Sequence, residues 1–154
     1  MSITKKVDLY HEPSYAGQVL FGQAHNVVSM LNKTAETILA GTAVQADGAD
    51  AVKPLAEGGK PLGIVVREVV HEGALGIPTK RTGSVLTMGV IWVEVGETVA
   101  KGDAVYAGTG ANVKGKFTKS AGSAATAAIA VPNAQFLDAA TAGKLARVSI
   151  VIGG

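Results

Sequence analysis

The chain contains no cysteine among its 154 residues. Disulfides are therefore excluded, and so are thiolate metal sites and a thiol nucleophile. Charge is scarce too: charged residues make up 17% of the sequence and sum to only +2. A balance that small does not mark nucleic acid or an anionic membrane as the main partner. No apolar run approaches the ~18 residues of a membrane span. Lys5-Lys6 is followed by Val7-Asp8 rather than by the apolar stretch of a secretory signal, so a chain made and folded in a cytoplasm is expected. What the sequence does have is apolar bulk, 47%, and 20 glycines. That mixture predicts a turn-rich β protein large enough for one core. A surface so poor in charge also implies that part of it is covered by something else.

The strongest signal lies in residues 83–107. From Val85 to Val95 nearly every side chain is apolar, with Val85, Thr87, Ile91, Val93 and Val95 on one alternating face. Leu86, Met88, Val90 and Trp92 fall on the other. Covering both faces predicts a central strand, with Leu86, Met88, Val90 and Trp92 in the core. Gly89 has no side chain to pack and predicts a bulge or bend. Short apolar runs flank this strand at regular intervals, at 37–40, 42–45 and 62–70 and near Phe117. Lys144–Ile152 alternates, with Ala146, Val148, Ile150 and Ile152 on one face and Arg147 and Ser149 on the other, as a closing strand would. Ala121–Ala130 has room for at most one or two helical turns. The fold expected is mainly β, a small β-sandwich or barrel.

Residues 1–35 show no period of their own, which predicts an irregular N-terminal arm (1–35) ahead of a single β domain (36–154). The arm holds Tyr10, His11, Tyr15 and Phe21. Large rings are costly to leave in water, so these four are the candidates for contact with another copy or with a partner surface.

Residues suited to chemistry do not assemble into a site. Gly110–Lys116 matches the G-x-x-x-x-G-K spacing of a phosphate loop, but Phe117 stands where a hydroxyl should meet magnesium, and no helix pattern follows. A hairpin loop explains it better. The three histidines are too scattered for a metal cluster. Glu97 and Asp103 occupy turn positions; only Glu94, on an apolar strand, is unusual, either reaching water or pairing with Arg67 or Arg147. No catalytic, metal or cofactor-binding residue is expected. The Val95–Asp103 turns resemble those of biotin- and lipoyl-carrier domains, which are barrel-sandwich hybrids. Thr87-Met88-Gly89 lacks the carrier lysine, so the likeness concerns backbone geometry.

Taken in order, the chain resembles the capsid cement, or decoration, proteins of tailed bacteriophages. The matching stretches are Ala40-Gly41-Thr42-Ala43-Val44, Pro61-Leu62-Gly63-Ile64-Val65, Gly102-Asp103-Ala104-Val105-Tyr106 and the C-terminal run from Gly143 to Ile150, behind an irregular N-terminal segment. The resemblance implies a β-tulip-like fold and a structural, non-enzymatic protein on the outer surface of the virion. It also implies the major capsid protein as partner and a homo-oligomer, trimer favoured over dimer, that stabilises the mature head across capsomer joints. The alternative is a barrel that binds or carries a small ligand.

Overall fold

The computed structural model describes residues 15–20, 22–68 and 75–152. Among them, β1 (Asn26–Asn32), β2 (Ile38–Leu39), β3 (Ala43–Ala46), β4 (Ala51–Pro54), β5 (Gly63–Val65) and β6 (Gly76–Ile77) precede the thirteen-residue β7 (Thr82–Glu94). After it come β8 (Ala104–Gly108), β9 (Phe117–Thr118), β10 (Ala128–Phe136) and β11 (Leu145–Val151). A single 3-10 turn at Ala124–Thr126 is all that the alanine-rich stretch forms.

β7 organises the sheet because its two halves serve different neighbours. Its first half pairs with β5 and β1, and β1 continues through β4 and β3 back to β5, closing a five-stranded barrel. Its second half pairs with β11 from Met88 to Glu94. From there the sheet runs through β10 and β8 to β9, where Phe117 forms a parallel bridge with Val95, just past the end of β7. One long strand therefore serves both curled halves of a single nine-stranded sheet.

Two cores result. Ile38, Val44, Val52, Val65, Ile77 and Val85 fill the five-stranded barrel. A larger cluster includes Ala43, Ile64 and Leu86 from the opposite faces of those strands, together with Ile91, Val93, Phe117, Phe136, Val148 and Ile150. Because β3, β5 and β7 separate the two cores, their side chains are apolar on both faces, as the unbroken run in β7 requires. β11 behaves as its alternation predicts, with Ala146, Val148 and Ile150 fully buried.

The expected set on β7 is split by a bulge. Val27 of β1 pairs with Leu86 but Asn26 pairs with Met88, so Thr87 is an extra residue on β7. Gly89 follows at φ +139, with the Cβ of His25 only 2.9 Å from where a side chain would begin. One inserted residue reverses the phase of a strand. Leu86 therefore shares the larger core with the odd-numbered Ile91, Val93 and Val95. Leu86 and Val90 are buried, whereas Met88 and Trp92, expected beside them, are only half-buried. Trp92 lies outside the core, with the Arg147 guanidinium 5.6 Å from its ring centroid. Trp92→Ala should then cost roughly 1–2 kcal/mol in urea unfolding rather than the ~3–5 kcal/mol of a buried aromatic. A loss above about 3 kcal/mol would return the indole to the core.

The expected domain boundary at residue 35 also moves. β1 lies upstream of it and forms one wall of the barrel. Further upstream, the amide of Gly17 donates to Trp92 O, that of Trp92 to Gln18 O and that of Leu20 to Val90 O, so residues 17–20 run along the free side of β7. Val19 is buried in the larger core. Gly17 and Gly41 allow this approach. Both have positive φ, and a Cβ on either would lie 2.8 Å from the other's backbone nitrogen. Asn32 ties β1 to its surroundings: fully buried, it donates through Nδ2 to Glu36 O and Ile77 O and accepts at Oδ1 from the Thr34 amide and hydroxyl.

Candidate functional site

The acidic residues near β7 serve the fold. Glu97 accepts from the Lys119 amide at 2.8 Å and so ties the turn after β7 to the chain beyond β9, while Asp103 accepts from the Ala100 amide at 2.9 Å and holds its own turn. Arg147 is not the partner of Glu94. Its Nε and Nη2 grip Asp138 at 2.8 and 2.7 Å, and its backbone amide binds the same carboxylate. The Arg147 side-chain hydrogen bond holds the Asp138 carboxyl below its usual range, and Asp138 in turn raises Arg147. Arg67, the other expected partner, stacks on a tyrosine instead. The Gly110–Lys116 loop joins β8 to β9 in an antiparallel hairpin, with Phe117 opposite Ala107. Among the described residues no group of three or more His, Asp or Glu side chains is placed to hold a metal ion.

What the fold builds is a surface. Leu39 and Leu75 are each 57% exposed and Tyr15 is 49% exposed, more than any other large apolar side chain among the described residues. All three line one shallow depression with Ala16, Ala40 and Arg67. The Arg67 guanidinium sits 3.4 Å from the centroid of the Tyr15 ring and fixes it in place. On its other side Leu39 lines a cleft of about 290 Å³ between the barrel and the β8–β9 hairpin. Ile38, Pro54, Leu55 and Ala107 form its apolar walls, and Glu36, Lys114 and Lys116 bring charge to it. The two depressions share Leu39 and so form one continuous apolar band. Exposed apolar surface of this kind makes the band the candidate site of protein contact.

Of the residues expected to make contacts, Tyr15 lies in this band. Tyr10, His11 and Phe21 fall outside the described residues. Leu39, Leu75 and the cleft were not legible in the sequence, since β2 and β6 are two residues long and carry no periodicity that assigns a face.

A family model described as structural cement protein (E217 gp24/Pam3 gp6) matches residues 3–151. The chain belongs to that phage cement family. It is thus a structural, capsid-associated protein of the virion. Over 98% of its length it is similar to a chain in the capsid of Myoviridae phage XM1, with 26% identity, 98% of that chain covered and a TM-score of 0.72. The base of the head fiber gp8.5 of bacteriophage phi29 has the same fold at 14% identity, with 82% of this chain and 94% of that one covered and a TM-score of 0.52. No curated protein matches the sequence. For a cement protein, an exposed apolar band is a coherent design.

Proposed function

We propose that the chain binds the outer surface of a phage head, with the major capsid protein as its partner, and ties neighbouring capsomers together as a homo-oligomer, trimer favoured over dimer. It carries out no reaction and needs no cofactor. The observation that carries this reading is the cement-family match over residues 3–151. The apolar band supports it, because covering exposed apolar surface with a partner removes it from water. Tyr15 in the band, together with Tyr10 and His11 before it and Phe21 after it, supplies the contacts. A doubly curled sheet is rigid, so it holds its contact points at fixed separations while internal pressure pushes capsomers apart. Each contact can be weak, since several on one oligomer act together.

The test is to mix purified protein with heads assembled without it and sediment the mixture. Co-sedimentation at saturable occupancy, with heads that survive heating better than bare ones, is expected. Heads that pellet without the protein, or that gain no heat resistance when decorated, would refute the reading. A small-ligand barrel is the second reading, favoured only by the cleft at the barrel–hairpin junction. Native mass spectrometry that detects a retained small molecule would support it.

A further inference from the structure

The cleft between the barrel and the β8–β9 hairpin has the makings of a specific anchor site. Its volume, about 290 Å³, is at the bottom of the ~300–1,000 Å³ range of drug-sized ligand pockets. That size suits one or two side chains rather than a cofactor. Its walls are apolar and come from two different parts of the fold: Ile38, Pro54 and Leu55 on the barrel side, and Ala107 of β8 on the other. Where two packed units meet, pockets of this kind are common.

The lip carries the charge. Lys114 and Lys116 lie on the hairpin loop and Glu36 precedes β2 on the barrel, so cations outnumber the one carboxylate. Neither lysine forms an ion pair among the described residues. Their loop is nonetheless well fixed. Val113, between Gly110 and Lys114, is 4% exposed, and the amides of Val113 and Lys116 donate to Gly110 O and Val113 O. Gly115 has φ +77, and a Cβ there would come 3.2 Å from the Thr42 methyl, so the loop leans directly on the barrel. Two ammonium groups with no ion-pair partner among the described residues are thus placed at the edge of an apolar slot. This is the same loop whose glycines and lysine imitate a phosphate site, and as a hairpin it has a different use for them.

We propose that this cleft receives an extended segment of the capsid shell subunit. An aliphatic or aromatic side chain enters the slot, and an adjacent carboxylate lies against Lys114 and Lys116. The apolar anchor supplies affinity, and the charge pair selects register and speeds encounter. The inference rests on the cement reading and names the chemistry of its partner.

The experiment compares half-occupancy concentrations on heads assembled without the protein, at low and at high salt. One variant carries Lys114→Glu with Lys116→Glu, a second carries Leu39→Ser, and Lys144→Glu, in a different surface depression, is the control. The double reversal should weaken binding about tenfold at low salt and flatten the salt dependence. Leu39→Ser should weaken it severalfold at both salt levels, and the control should match wild type. All these side chains are at least partly exposed, and melting curves equal to wild type confirm that the fold is intact. Wild-type occupancy by both variants would overturn the anchor site while leaving the cement reading in place. Wild-type protein that fails to bind heads would overturn both.

Discussion

A chain that begins at Glu36 should lose cooperative folding altogether. Sequence pattern places the first 35 residues outside the β domain, but three separate features tie residues 17–20 and 26–32 to it. β1 is a full wall of the five-stranded barrel, paired with β7 over Asn26–Leu31 and with β4 at Leu31 and Asn32. Without it the first half of β7 loses one neighbour, and Val28 and Met30 no longer cover the cluster around Val85. Asn32 leaves with β1, so Ile77 O and Glu36 O lose its amide. Residues 17–20 leave as well, uncovering the edge of β7's second half that faces away from β11 and removing Val19 from the larger core. Stability of a domain is only about 5–15 kcal/mol, and deleting a barrel strand exceeds it. Circular dichroism of the truncated chain should show no sigmoidal melt, and exposed apolar surface should bind a hydrophobic dye. A cooperative transition within a few degrees of the full chain's would show β1 to be an accessory.

Phe117→Ala is the most damaging single substitution we expect. Phe117 is completely buried, in a strand of only two residues. It joins β8 through Ala107, bridges to Val95, and its carbonyl accepts from the Gly96 amide at 2.8 Å. The ring therefore fills the core at the point where the second half of the sheet curls back to β7. Truncation leaves a cavity that backbone pairing on both sides prevents from collapsing. Such losses amount to ~3–5 kcal/mol. For a chain of this size the melting temperature should fall by roughly 6–20 °C. A drop below about 3 °C in calorimetry would mean that the hairpin carries no weight in closing the sheet.

The contrast between Phe117 and Trp92 shows how far local pattern can be trusted. Both are large aromatics in apolar surroundings, and the run around Trp92 is the more apolar. Yet Phe117 is buried and Trp92 is half-exposed, because the extra residue at Thr87 shifts the face on which the indole emerges. Gly89 signalled a bulge in the sequence, but not on which side of it the phase would change. The carboxylates show the same limit. That Asp103 caps its own turn follows from local spacing, whereas Glu97 reaching Lys119 and Arg147 choosing Asp138 over Glu94 depend on which distant segments the fold brings alongside.

By itself the sequence determined the mainly-β class, the central role of the stretch around β7, the buried alternation of β11, the hairpin nature of the phosphate-loop imitation and the likeness to phage cement proteins. These properties rest on period-2 patterning and turn chemistry, which act over a few neighbouring residues. Only the tertiary structure decided that β1 belongs to the barrel, that β7 serves two cores, and that Leu39 joins two depressions into one apolar band. Strand pairing and cleft formation bring together residues such as Ile38 and Lys116 that are far apart in the chain, and no local signal encodes which of them meet.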